Sequence, residues 1–284
     1  MLNIVTSLSD LIRTSLSGTY AKNEIEQLVF LIFNHLLNYS KIDIHLKSET
    51  PISEDIYQQV LAIIDQLIKH KPIQYIFGQT EFYGLKIILN HNVLIPRQET
   101  EELVHWVIQD FRNKSPRILD IGTGSGCIAI TLAKNIPESK VDALDNSPKA
   151  LEVASENSKI NNVSINFINL NIIEPDSFKN SFVYDIIVSN PPYILESEKK
   201  LMNRNILENE PYEALFVSDD DPLIFYRNIA GFGLNWLNDN GSVYVEINEK
   251  FGNAVKNIFK EYGYRFTELR KDINGRDRMI KVKK

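Results

Sequence analysis

The stretch Ile186–Ile194, IIVSNPPYI, closes an apolar run with an asparagine, two prolines and a tyrosine. Neither proline has a backbone N–H to donate, so a strand built on this run must stop with Asn190 at its tip. Asparagine is a poor nucleophile and does not titrate. Its value is geometric: the side-chain carbonyl accepts a hydrogen bond from a substrate –NH₂. The Pro191 carbonyl, unpaired by any ladder and fixed in direction by the two prolines, is a second acceptor for the other N–H. Tyr193 adds a flat apolar face on which a planar group can stack. Asn190, Pro191, Pro192 and Tyr193 are thus the candidate substrate cradle, and Asn190, Pro191 and Tyr193 the candidate catalytic residues. Two acceptors holding both N–H bonds turn a delocalised nitrogen lone pair toward an incoming electrophile and stabilise the charge growing on nitrogen. The cradle specifies only a planar amino group, and both an adenine amine and a carboxamide qualify.

A second constellation lies upstream in Leu119–Ile130, LDIGTGSGCIAI, where a strand turns into a helix. Gly122, Gly124 and Gly126 allow a sharp turn and close approach to a ligand at a helix N-terminus. Their spacing is GxGxG; the dinucleotide fingerprint GxGxxG would need glycine where Cys127 stands. Asp145 ends the next strand, VDALD, where a doubly wound fold brings a carboxylate beside the loop to receive two ribose hydroxyls. Asp120 adds negative charge close by, or caps the loop's own N–H groups. Two acids around a glycine loop disfavour a bare polyphosphate and suit a cation. S-adenosylmethionine, with its sulfonium and ammonium, is such an adenosine-containing ligand.

The elements that must position these residues follow from periodicity. Up to about residue 75 the pattern is helical: Ile25, Leu28, Val29, Ile32, Phe33, Leu36 and Leu37 share one face. Ser53, Glu54 and Asp55 open a further helix carrying Ile56, Val60, Ile63, Ile64, Leu67 and Ile68, and Pro72 ends the pattern. These signs predict a small helical bundle over 1–75. Alternation in Glu81–Pro96, with turn residues Gly84 and Asn90–Asn92, predicts a β-hairpin linker over 76–97. From residue 98 to 284, strands and helices alternate through seven strands: RILDIG, KVDALD, INFINL, YDIIVSN, GSVYVEI, RFTELR and DRMIKVK. Short links between them imply an α/β fold, a Rossmann-like doubly wound, mostly parallel sheet covered on both faces.

Composition narrows the classes. A formal net charge of −6 argues against a broad basic surface for nucleic acid, although basic residues gather between Arg265 and Lys284. The single cysteine, Cys127, excludes an internal disulfide and fits a reducing compartment, so a cytoplasmic location is expected. Five scattered histidines offer no metal-ligand spacing, and no metal is expected. No apolar run approaches the ~20 residues of a membrane span, and the N-terminus lacks a basic leader.

NPPY together with DIGTGSG resembles the amino-methyltransferases of the Rossmann-like S-adenosylmethionine class. Within it, the whole chain resembles the HemK/PrmC family of release factor glutamine methyltransferases. The likeness extends to Gln74–Val104, to ENEPYEAL (Glu208–Leu215) and to RKDINGRDRMI (Arg270–Ile280). It implies methylation of the glutamine amide in the Gly-Gly-Gln tripeptide of peptide-chain release factors, with the helical domain contributing to the release factor contact. By motif position, Gly122, Thr123, Gly124, Ser125, Gly126 and Asp145, with Asp120, Asn171, Ile172 and Asn190, would hold S-adenosylmethionine. The family often has proline where this chain has Gln98 and usually aspartate where it has Asn171, near the expected adenine amino group; an asparagine carbonyl still accepts there. Methylation of adenine in DNA or RNA, glutamine methylation of a ribosomal protein, and a non-catalytic cofactor-binding module are the competing readings.

Overall fold

The computed structural model describes residues 4–284. They form two compact units: the described residues up to Gly78 with Asn203–Asn209, and Gln79–Met202 with Glu210–Lys284.

The first unit is helical: α1 (Val5–Leu16), α2 (Lys22–Leu37), α3 (Lys41–Leu46), α4 (Glu54–Ile68) and α5 (Ile73–Phe77). The α2 face at Ile25, Leu28, Val29, Ile32 and Phe33 packs in one apolar cluster with Val60, Ile63, Ile64 and Leu67 of α4. Ser53 caps α4, its hydroxyl accepting from the Ile56 N–H at 3.3 Å. Ile68 departs from the predicted face: 46% exposed, it lies on the last residue of α4, turned off the apolar stripe. Pro72 lies just beyond the end of the α4 pattern at Ile68. It stands at the N-cap of α5, where its missing N–H costs nothing.

The second unit begins with a hairpin, β1 (Gln79–Phe82) and β2 (Leu85–Ile88), then α6 (Gln98–Phe111). The alternating core runs β3 (Arg117–Ile121), α7 (Cys127–Asn135), β4 (Lys140–Asp145), α8 (Pro148–Ile160), β5 (Ile165–Asn169) and β6 (Tyr184–Ser189). After it come β7 (Ile194–Leu195), the one-turn α9 (Arg204–Leu207), β8 (Phe216–Val217), α10 (Ile224–Trp236), β9 (Leu237–Glu246), α11 (Gly252–Glu261), β10 (Phe266–Lys271) and β11 (Asp277–Lys283).

The main sheet has seven strands in the order β10-β11-β9-β6-β3-β4-β5. Every pair from β9 to β5 is parallel, and β11 runs antiparallel to β9 and β10. The predicted doubly wound α/β sheet is therefore present, and the chain winds outward from β3 in both directions. That makes the gap between β3 and β6 the topological switch point, where ligands bind in such sheets.

The hairpin differs from a free linker. The Asn157 side chain on α8 accepts from the Ile88 N–H at 2.7 Å and donates to its carbonyl at 3.0 Å, and Asn161 donates to Lys86 O at 2.8 Å. These bonds satisfy the edge of β2 as a further strand would, and residues 79–97 belong to the second unit. No helix among the described residues is long and apolar enough to cross a membrane, and no group of potential metal ligands occurs among them.

Candidate active site

The carboxyl ends of β3, β4 and β6 open onto a cavity of about 340 Å³. Of the residues singled out from the sequence, Gly122, Gly124, Asp145, Asn171 and Ile172 line it, as do Asn190, Pro191 and Pro192.

The glycine loop is built from below. Leu144 O on β4 accepts from Gly122 N at 2.9 Å and Thr123 N at 3.0 Å, folding the loop over the neighbouring strand. Both Gly122 and Gly124 have positive φ, +72° and +54°, with nothing within 4 Å of an added Cβ; conformation, not crowding, calls for glycine there. Gly126 (φ +81°) differs. A Cβ on it would lie 3.0 Å from Ile130 Cδ1 and 3.1 Å from Ala154 Cβ, so this glycine sets the approach of α7 to α8 and lies off the cavity wall.

Thr123, Ser125 and Asp120 are likewise loop-building residues, all buried and off the cavity wall. Asp120 Oδ2 accepts from the Thr123 hydroxyl at 2.6 Å and from Ala129 N of α7 at 3.3 Å, so it ties the loop to the first turn of the helix and receives no N–H of the loop itself. Its other oxygen has no hydrogen-bond partner among the described residues. Burial pushes the Asp120 carboxyl up from 3.8 to about 7. A native group with a raised pKa binds more protons than the unfolded chain, so its stability contribution is fully present below pH 3.8 and is lost as pH rises through about 7. Wild-type stability should therefore fall between pH 4 and 8 relative to Asp120→Asn, by about 4 kcal/mol at most. Urea midpoints of both proteins across that range test it; parallel pH profiles contradict it.

Asp145 faces the cavity with a satisfied yet unsaturated carboxylate. Oδ2 accepts from Gly124 N and Oδ1 from Ser147 N, each at 2.9 Å, and the Asn146 N–H adds to them, which leaves acceptor capacity on the carboxylate for a ligand. Burial raises its pKa, and the negative Glu213, which also lines the cavity, adds to the shift. A ligand with hydroxyl donors and positive charge would relieve both penalties. Ile121, Leu144, Leu170, Phe225 and Ile229 supply apolar wall, and the Asn171 Oδ1 accepts from Ile173 N at 3.0 Å in a local turn, an arrangement open equally to aspartate. Adenosine with an attached cationic sulfonium matches this set of donors, acceptors and apolar faces.

At the tip of β6, Asn190 Nδ2 donates to Thr100 Oγ1 at 3.0 Å, and Thr100 donates to Glu246 Oε2 at 2.7 Å. The Tyr193 hydroxyl donates to Glu246 Oε1 at 2.9 Å, and its backbone carbonyl accepts from Asn248 at 3.2 Å. Tyr193 is thereby tethered from behind, packed against the core cluster rather than lining the cavity. Neither Asn190 Oδ1 nor the Pro191 carbonyl accepts a hydrogen bond among the described residues. Burial raises the Glu246 pKa, opposed by the bonds from Thr100 and Tyr193 and by the nearby Arg278 charge.

Sequence reasoning missed Thr100 and Glu246; a lone carboxylate inside the apolar run VYVEI was the available signal. It also missed two walls. His91–Leu94 line the cavity from the stretch read as linker, and Pro211, Glu213 and Ala214 line it from ENEPYEAL. The walls are joined: Arg97 Nη2 donates to both oxygens of Glu210 at 2.7 and 2.8 Å, and Ile95 N donates to the same carboxylate at 3.3 Å. The Glu210 side chain is 1% exposed.

A Rossmann-like sheet with a glycine loop, an acid at the tip of β4 and an NPPY corner at the switch point defines an S-adenosylmethionine-dependent methyltransferase. Residues 98–212 match the methyltransferase small domain family, and residues 16–78 match the PrmC N-terminal domain family. The chain is 44% identical over 272 residues to a release factor glutamine methyltransferase of Flavobacterium psychrophilum, covering 94% of this chain and 95% of that protein. A Bacteroides thetaiotaomicron protein of the same name is 42% identical, over 95% of this chain and 96% of that protein. The chain belongs to the release factor glutamine methyltransferase family. Among solved structures, the hMettl16 catalytic domain in complex with the MAT2A 3'UTR hairpin 6 is similar with TM-score 0.54 and 16% identity, covering 81% of this chain and 82% of that one. A Pyrococcus furiosus methyltransferase gives TM-score 0.52 and 21% identity over 77% and 96%. These two likenesses concern the fold alone.

Proposed function

We propose that the protein methylates the side-chain amide nitrogen of the glutamine in the Gly-Gly-Gln motif of peptide-chain release factors, giving N5-methylglutamine. The observation that supports methylation of a planar amino group is the pair of acceptors, Asn190 Oδ1 and Pro191 O, at the wall of the cavity and unsatisfied among the described residues. Gly122, Gly124, Asp145, Asn171 and Ile172 would hold S-adenosylmethionine, which would supply an activated methyl carbon, with S-adenosylhomocysteine as the leaving product. Asn190 and Pro191 each take one N–H of the carboxamide, which fixes its plane and turns the nitrogen lone pair toward the cavity. As positive charge grows on nitrogen, both bonds strengthen, so they act more on the transition state than on the bound substrate. The extra proton leaves to water after transfer, and the chain needs no buried base. Pro192 stiffens the corner, and Tyr193 backs it.

The names of the full-length relatives turn the reading from adenine to glutamine. Charge supports it too. In the basic C-terminal stretch, Arg270, Arg276, Arg278, Lys281 and Lys284 each face a carboxylate within 4 Å, which leaves little free charge for phosphates. Labelled methyl transfer to purified release factor, to its Gln→Ala tripeptide variant, to a ribosomal protein mixture and to DNA tests the proposal. Label is expected on release factor and absent from the variant. Label on DNA, or on a ribosomal protein, without label on release factor overturns it.

A further inference from the structure

We infer that Thr100 and Glu246 form a positioning relay that fixes which end of the Asn190 amide faces the substrate. The inference rests on the proposed role of Asn190 as an acceptor. An asparagine side chain presents a donor and an acceptor of nearly equal size, and a half-turn about its last torsion exchanges them. An acceptor site built on asparagine is therefore only as good as the device that prevents that turn.

The relay supplies the device through proton counting. Glu246, at the end of β9 and 1% exposed, offers acceptor oxygens to both Thr100 and Tyr193. The single Thr100 hydroxyl proton is committed to Glu246, so Thr100 can offer Asn190 nothing but a lone pair. Only the amide nitrogen can meet that lone pair. A turned amide would set its oxygen against the Thr100 oxygen, with no proton between them. The carbonyl is thereby left directed away from Thr100 and free for a substrate N–H. Thr100 is itself 2% exposed on the first turn of α6, and neither it nor Glu246 lines the cavity, so both act through Asn190. The same carboxylate holds the Tyr193 hydroxyl, so one buried acid sets the orientation of two cradle side chains. β9 runs parallel beside β6, with Val245 in register with Ser189, and this pairing places an acid at position 246 beneath the NPPY corner.

The test compares Thr100→Val, which keeps the shape and removes the hydroxyl, with Thr100→Ser, which restores the relay. Thr100→Val is expected to lower kcat roughly 10–100-fold, with the dissociation constant of S-adenosylmethionine unchanged. Thr100→Ser should return most of the activity, which a purely structural need for the threonine methyl group would not allow. Wild-type kcat in Thr100→Val overturns the relay. An independent readout needs neither a variant of Thr100 nor a methyl acceptor: the side-chain amide protons of Asn190, observed by NMR in asparagine-labelled wild-type protein. One of them should exchange slowly with water and resonate downfield, as a proton bonded to Thr100. Two rapidly exchanging protons overturn the relay even if release factor is methylated. A protected proton supports it even if the methyl acceptor proves to be another molecule.

Discussion

Replacing Asn190 with alanine is expected to lower kcat by roughly 10²–10³-fold, with little change in the affinity for S-adenosylmethionine. The size follows from what is removed: one of two acceptors fixed before the reaction, inside a site partly shielded from water. Affinity survives because the glycine loop, Asp145 and the apolar wall belong to other elements and do not depend on the Asn190 side chain. Stability should fall by only about 1 kcal/mol, since Thr100 keeps its bond to Glu246 when its partner is gone. Single-turnover methyl transfer, cofactor titration and thermal melts separate the three quantities. Full activity in this variant would show that the cradle does not act through its asparagine.

Gly126→Ala is expected to destabilise the protein by about 2–5 kcal/mol, the sum of a left-handed backbone penalty and overpacking. The backbone part arises from φ +81°, and the packing part from contacts of 3.0–3.3 Å to Ile130 and Ala154. One of those contacts is to the Ala154 backbone, which yields only if α8 moves as a body. Gly122→Ala is the control. It has a similar φ of +72° and open space around the added methyl, so it should cost only the first part, about 1–2 kcal/mol. Urea unfolding of both variants measures the difference, and equal losses would remove the packing argument.

The contrast between these two glycines shows how far the sequence could be read. GxGxG announced a loop at a strand–helix junction, and the strand, the loop and α7 stand where the pattern put them. Nothing in three like residues distinguishes a glycine that opens space for a ligand from one that lets two helices touch. The doubly wound sheet was legible because each buried strand is a short apolar run with turn residues at both ends. The hairpin was legible as strands but not in its allegiance, since the bonds that attach it to α8 come from Asn157 and Asn161, whose side chains look like surface polarity in sequence. Asn190 was legible because two prolines isolate it. Thr100 and Glu246 were not, for their meaning lies in a hydrogen-bond chain across residues 100, 190 and 246 that no local spacing encodes.

The clamp between Arg97 and Glu210 has a consequence in time as well as in space. It closes a loop of 113 residues that holds the glycine loop, Asp145 and the NPPY corner. Contacts so distant along the chain form only after more local pairings have shortened the effective separation. The β3–β6 pairing closes a shorter separation, 68 residues between Ile121 and Ser189, so it is expected to form ahead of this ion pair. In that order the sheet precedes the fastening of the two cavity walls, and a hydrogen-exchange pulse during refolding is expected to protect β3 and β6 before Ile95 N, which the Glu210 carboxylate holds.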